Sequence, residues 1–243
     1  MNLSTLSQYS VNPPPTEEEL KRAKELIKIA FANEVGNICK RMEIDSHQVM
    51  ELFSKDHKLN ISSKYFKPGF AYGGSCLPKD LKGLNIIAHD HYINTPVLNA
   101  INYSNEIQKE IAFEMVEKEK VKHVGLLGLS FKEGTDDLRF SPVVDLAERL
   151  IGKGYQLSIF DENVSYSRLT GTNKAYIEKH IPHLQDLLTD DLDEVISNNA
   201  LIIIAHRLEE FSELPSQYPS KKFIDLVRIT ENIKLNNYLG ISW

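Results

Sequence analysis

After Lys120 the chain changes character: residues 121–129, VKHVGLLGL, form a short and nearly continuous apolar run that holds two glycines. A strand that is apolar on both faces needs cover on both, which is the condition of a parallel sheet flanked by helices. Ser141-Pro142 opens a helix over 143–150, and Gly152 and Gly154 close it. Residues 156–160 read as the next strand. Helical stretches around 176–188 and 192–197 follow, then a strand over 201–205 and a last one over 223–227. Strand–helix alternation of this kind predicts a doubly wound α/β domain over residues 119–243.

The first half carries a different period. Pro13-Pro14-Pro15 is extended and cannot be helical, so residues 1–15 are expected to form a disordered or extended segment. Thr16 is a candidate N-cap, with Glu17, Glu18 and Glu19 filling a first turn that favours acidic groups. Leu20, Ala23, Ile27, Ala30, Phe31 and Ile38 recur at three- and four-residue steps and predict one long helix to about residue 42. Asp45 can cap a shorter helix through Phe53. Glycines, a proline and aromatics make 55–76 a long loop, after which 77–91 returns to helix. These elements predict an all-helical domain over 16–94, and Thr95-Pro96 starts a connecting helix over 95–118. A chain of 243 residues has room for two such domains.

The loop 58–81, KLNISSKYFKPGFAYGGSCLPKDL, holds the informative chemistry. Two glycines let the backbone turn sharply and approach a ligand closely. Cys76 follows them and precedes Leu77-Pro78, and proline suits the first turn of a helix. A thiol at a helix N-terminus meets the positive end of the dipole, which favours thiolate. Lys79 adds positive charge, and Asp80 is placed to position a water or accept a proton. Together these are the parts of an activated nucleophile. A cysteine taken alone is more often a small buried hydrophobe. That bland reading suits Cys39, which lies in the first helix between Ile38 and Lys40. Tyr65 and Phe70 equally suit packing of the loop, and Asn33 and Glu34 suit helix-packing hydrogen bonds. His89-Asp90-His91 is no metal clamp, because positions i and i+2 of a helix face different ways. Gly125-x-x-Gly128 follows a strand, but no GxGxxG occurs in the chain.

Three separated segments carry a family resemblance. PGFAYGGSCLPKDL resembles the cysteine loop of the UDP-glucose/GDP-mannose dehydrogenases. FANEVGN, 31–37, is similar to the central-domain helix of that family. GLLGLSFKEGTDDLRFSP, 125–142, is similar to the start of its C-terminal domain. Within the family, KLNIS, SCLPKDL and the closing residues 233–243 look most like the members that oxidise GDP-mannose. The resemblance implies a two-step, NAD-dependent oxidation of the sugar's C6 alcohol, with Cys76 trapping the aldehyde as a thiohemiacetal and water releasing a thioester. It implies that Asp80 and Lys79 assist. Asn60, Tyr65, Lys67, Phe70, Gly73 and Lys132 then bind the nucleotide sugar, and Arg139 reaches NAD. It further implies a homodimer formed through the helical domain.

Two departures qualify the expectation. No segment corresponds to the N-terminal NAD-binding domain of the family, so the chain is expected to lack the main cofactor site and to be inactive alone. Counting back from FANEVGN, two family active-site positions, a lysine and an asparagine, hold Glu18 and Arg22, and the resemblance is expected to begin near residue 26. Alternatives are a non-catalytic dimerising or GDP-sugar-binding remnant, specificity for UDP-glucose, and a cysteine hydrolase; the last lacks a histidine at credible spacing from Cys76. A net charge of −6 without a basic tract leaves nucleic acid no electrostatic footprint. No apolar run nears the roughly 20 residues of a membrane span. With two cysteines and no secretory signal, a reducing cytoplasm is the expected setting.

Overall fold

The computed structural model describes residues 16–41, 43–56, 67–90, 92, 94–164, 171–230 and 235–243. Helix α1 spans Glu17–Arg41 and begins with reciprocal bonds between Thr16 and Glu19. The Glu19 amide donates to the Thr16 hydroxyl at 3.2 Å, and the Thr16 amide donates to the Glu19 carboxylate at 2.7 Å, satisfying two otherwise orphaned donors. Helix α2, Ser46–Ser54, is capped by Asp45, which accepts from the His47 amide at 2.8 Å and the Gln48 amide at 3.3 Å. Helix α3 spans Leu77–Asp90, and α4 spans Pro96–Lys118. Helices α1, α3 and α4 and the loop before α3 share a small core of Leu26, Ala30, Tyr72, Leu81 and Ile101, and α2 packs Met50 against Ala32.

Helix α4 also contributes Ala112, Phe113 and Val116 to the core under the sheet, so one rigid element is common to both halves. The α/β half runs β1 (His123–Leu127), α5 (Pro142–Gly152), β2 (Gln156–Phe160), α6 (Gly171–His180), α7 (Leu184–Leu187), α8 (Leu192–Asn198), β3 (Leu201–Ile204), a 3-10 turn (Glu209–Phe211), α9 (Leu214–Gln217), β4 (Lys222–Asp225) and β5 (Tyr238–Gly240). The strands are parallel in the order β2-β1-β3-β4-β5, with Val124 level with both Leu157 and Leu201. Side chains alternate across the sheet. Leu126, Leu201, Ile203 and Ile224 pack with α4 and α5 on one face. Leu127, Ile202, Ile204 and Phe223 pack with α8 and Phe211 on the other. The architecture is helical first, then a doubly wound α/β unit, as the two periods predict.

Two expectations are corrected. The helical stretch around 176–188 is two helices, and it starts earlier, at Gly171. Pro182 sits in the break, where its missing N–H and ring end a helix. Nor is β4 the last strand, since β5 adds to the edge with Phe223 level with Tyr238. Three residues are too few to show a period. Among the described residues no helix is long and apolar enough to cross a membrane.

Candidate active site at the seam of the two halves

Cys76 is exposed and stands immediately before α3; its carbonyl accepts the Asp80 amide at 3.0 Å. Cys76 thus stands at the N-terminal, positive end of a helix of 14 residues. Cys39, by contrast, is buried within α1.

The loop before Cys76 is held from both halves. The Asn33 side chain accepts the Gly69 amide at 3.0 Å, so it ties α1 to the loop, where helix packing alone was expected of it. Asn105 on α4 pairs with both backbone groups of Tyr72, at 2.9 and 3.1 Å. Gln108, one turn further on, donates to the Gly69 carbonyl. From the α/β side, the Leu226 carbonyl accepts the Phe70 amide at 3.1 Å, and the Phe140 carbonyl accepts the Gly74 amide at 3.1 Å. Asn105 and Gln108 were not anticipated. Their signal was present: polar residues one turn apart, in the stripe that runs Ile101, Asn105, Gln108, Ala112. Buried polar side chains demand partners, here the irregular backbone of the loop.

Glycine is required twice. A Cβ on Gly73 would lie 2.5 Å from Pro142 Cδ and meet the Phe140 carbonyl. Gly74 has φ +88°, and a Cβ there would lie 2.9 Å from the Phe131 ring. The turn thus presses directly on residues 131–142. Phe140 itself sits at φ 54°, a strained conformation for a bulky residue, with its carbonyl on Gly74.

The charged residues divide into those near the thiol and those elsewhere. Arg139 forms a fork with Asp137, Nε and Nη2 each donating at 2.8 Å. Its pKa is raised by Asp137 first. Asp80 is 2% exposed. One of its oxygens accepts from Arg22 of α1, which also binds Glu18, while Oδ1 lies 3.5 Å from the largely exposed Lys79 ammonium. The two positions that depart from the resemblance, Glu18 and Arg22, therefore pair with each other, and Arg22 alone of the two reaches Asp80. Phe70 packs on the core under the sheet, and Gly73 lies at the seam. Lys67 is exposed. Lys132 is exposed and holds its ammonium 5.3 Å from the Phe131 ring centroid. Asn60 and Tyr65 lie outside the described residues. Among the described residues no group of three or more His, Cys, Asp or Glu could hold a metal.

The strand ends opposite the thiol bear on NAD. In an open parallel sheet a dinucleotide lies beyond the carboxyl ends of the strands, where the order reverses, between β1 and β3. Here Asp161 already accepts the Leu129 and Ser130 amides, at 2.7 and 3.1 Å. His206 covers Gly128, where a Cβ would run into its ring, and binds the Ser130 carbonyl at 3.0 Å. Gly125 serves packing, since a Cβ there would lie 2.8 Å from Val195 of α8. The amides that would cradle a pyrophosphate are in use, so the described residues do not fit NAD at this point. Asp161, His206 and Ser130 resemble a catalytic triad only in type. All three are buried, and the Ser130 hydroxyl donates to the Lys132 carbonyl at 2.8 Å.

Known proteins match the same two halves. Residues 20–107 match the UDP-glucose/GDP-mannose dehydrogenase family, central domain, and residues 125–232 match that family's UDP binding domain. The match starts at residue 20, within the first turn of α1 rather than near residue 26. GDP-mannose 6-dehydrogenase of Pseudomonas aeruginosa is 48% identical over 217 residues, 89% of this chain and 50% of that protein. The crystal structure of a ternary complex of GDP-mannose dehydrogenase from the same organism aligns with a TM-score of 0.70 at 47% identity, covering 89% of this chain and 50% of that one. A UDP-glucose dehydrogenase from Pyrobaculum islandicum aligns with a TM-score of 0.79 at 27% identity, covering 93% of this chain and 50% of its own. The chain spans about half the length of these relatives. With two domains matched in order and the cysteine loop inside the first, the chain belongs to the UDP-glucose/GDP-mannose dehydrogenase family.

Proposed function

We propose that this chain is the thiol-bearing, nucleotide-sugar-binding part of a nucleotide-sugar 6-dehydrogenase acting on GDP-mannose. The observation that carries the reading is the exposed Cys76 immediately before α3, at the end of the Gly73-Gly74 turn that presses on residues 131–142. Relatives near half identity named for GDP-mannose support the nucleotide. In this reading the Cys76 thiolate adds to the carbonyl carbon of a C6 aldehyde, and the carbonyl electrons move to oxygen as the C–S bond forms. In the closing hydrolysis, water adds to a thioester carbon, the C–S bond breaks and the thiolate leaves. NAD, which the family resemblance implies, has no cradle among the described residues, so removal of hydride is not assigned to them. Lys67 and Lys132 are exposed cations of the kind that suit a pyrophosphate.

Pairing of two copies through the helical half belongs to the same reading. Leu20, Ile27 and Phe31 of α1 and Leu52 and Phe53 of α2 are exposed, and the Phe31 and Phe53 rings lie 5.4 Å apart. A reducing compartment such as the cytoplasm suits a free, exposed thiol.

Calorimetric titration of the chain with GDP-mannose, UDP-glucose and NAD⁺ in turn tests the reading. Heat with GDP-mannose, and none with NAD⁺, is expected. Preference for UDP-glucose would move the specificity to uridine, in line with the matched UDP binding domain. Failure to bind either sugar nucleotide would sink the proposal.

A further inference from the structure

Residues 128–132 follow β1 directly and belong to no strand or helix, yet the segment is held along its length. The Phe160 carbonyl accepts the Gly128 amide at 2.7 Å, Asp161 accepts the next two amides, and the Asp137 carbonyl accepts the Phe131 amide at 3.1 Å. Two of its side chains border the thiol turn or solvent. The Phe131 ring lies where a Cβ on Gly74 would stand, and Lys132 is exposed, with its ammonium 5.3 Å from the centre of that ring. A buried pair anchors the bend, and the chemistry of the thiol makes no use of it. His206, two residues beyond β3, directs Nε2 at the Ser130 carbonyl, 3.0 Å away, and at the Ser130 hydroxyl oxygen, 3.4 Å away. A carbonyl only accepts, so Nε2 carries the proton. With that N–H facing Oγ, the hydroxyl turns its own proton away, onto the Lys132 carbonyl at 2.8 Å. Donation therefore runs in one direction, from His206 to Ser130 to Lys132.

We infer that Ser130 and His206 are positioning residues for Lys132: their hydrogen bonds fix the bend at 131–132 and hold the ammonium out for the diphosphate of a nucleotide sugar. The inference rests on the reading of the chain as nucleotide-sugar-binding, with Lys132 as one of its cations. A side-chain bond from residue 130 to the carbonyl of residue 132 closes a tight local ring and selects one backbone course among several. Lysine has a long, flexible side chain, and a cation contributes to affinity only what remains after it has been ordered. A fixed backbone, with the ammonium near an aromatic ring, removes part of that cost before the ligand arrives. Ser130 and His206 are both buried, so water does not compete for the bonds between them.

The test is calorimetric titration with GDP-mannose at several NaCl concentrations, with near-ultraviolet circular dichroism as the check of folding. Lys132→Ala should weaken binding by about 10-fold and make it less sensitive to salt, because one ionic contact is gone. Ser130→Ala removes a single oxygen; it should weaken binding by about 3-fold and lower the salt sensitivity in the same sense. A loss of stability alone would not change the salt sensitivity. His206→Leu should behave like Ser130→Ala, and His206→Gln, whose amide can donate where Nε2 did, should restore affinity. The double variant Ser130→Ala/Lys132→Ala should bind no more weakly than Lys132→Ala, since Ser130 acts through Lys132. If Ser130→Ala does not fold, the comparison of His206→Gln with His206→Leu decides, and equal weakness of the two overturns the inference. Parental affinity in Ser130→Ala, or a double variant weakened by the product of the single factors, overturns this inference alone. Affinity unchanged by Lys132→Ala overturns it together with the role of Lys132, while nucleotide-sugar binding stands. A parent that binds no GDP-mannose removes both readings.

Discussion

A carboxylate as deeply buried as that of Asp80 is stable as an anion only with a partner, and Arg22 is that partner. Removing the cation leaves the buried carboxyl without its partner, so Arg22→Ala is expected to lower the urea midpoint. The double variant Arg22→Ala/Asp80→Asn should recover much of that loss, because both charges then go together. Urea unfolding of the parent, Arg22→Ala, Asp80→Asn and the double variant measures the coupling, and strictly additive effects would remove the pair from the argument. Gly74 makes a second residue-scale case. Alanine there must adopt φ +88° and displace the Phe131 ring, at a cost of more than about 1 kcal/mol. The same urea titration checks it, and an unchanged midpoint would show that the turn is not strained. The sequence already contained the glycine pair, the thiol and the proline that opens α3. It contained no sign that Arg22 and Asp80, 58 positions apart, would meet, because such pairs depend on how α1 crosses α3.

Element ends follow the same division between local and distant signals. Asp45 and Ser141 cap α2 and α5 as their local sequences predict, since a cap bond joins residues two or three apart. Asp45 also receives both Nη atoms of Arg228, each at 2.9 Å, across 183 positions, and no window of sequence contains that contact. Asp45→Asn keeps a capping oxygen and removes the charge, so it isolates the ion pair. A loss of about 2 kcal/mol is expected, with α2 still helical by circular dichroism. His47, at the start of α2, lies edge-on to Trp243 at 5.1 Å. Burial first, and then Arg228, push its pKa down from 6.5 to about 4. The unfolded chain therefore takes up the proton first, and stability falls as pH drops from about 6.5 towards 4. Arg228 first also holds Asp45 below its ordinary 3.8, so its contribution is present above that value and is lost at still lower pH. His47→Phe keeps the aromatic contact and should flatten the upper limb, by roughly 2 kcal/mol once solvent screening is discounted. Thermal melts across that range check this, and an unchanged slope would assign the acid limb to other groups.

At the scale of the whole molecule, the helical half and the sheet half are joined by contacts that neither half specifies alone. The change of period near residue 120 made both halves legible, because periodicity is a property of short windows. Their joint was not, since it pairs Gly74 with Phe140, Phe70 with Leu226 and Ser46 with Ser242. The end of the chain concentrates this coupling. The Trp243 main-chain oxygen accepts Lys40 Nζ at 2.7 Å, its indole donates to Tyr238 at 3.1 Å, and Ser242 lies against Gly36, where a Cβ would stand 3.1 Å away. Helix α4 adds a rigid connection that is buried in both cores. Two halves stitched this densely should unfold together, so the chain is expected to melt in one calorimetric transition whose enthalpy equals the van't Hoff value. Deleting Ser242 and Trp243 removes the tail's contacts while leaving α4 in place, and should separate a lower transition for the helical half from a higher one for the sheet. The thiol loop spans the joint, so the rate of Cys76 alkylation should change at the lower transition and not at the higher. Two transitions in the intact chain would mean that the tail does not couple the halves, and that the thiol loop is held by α1 and α4 alone.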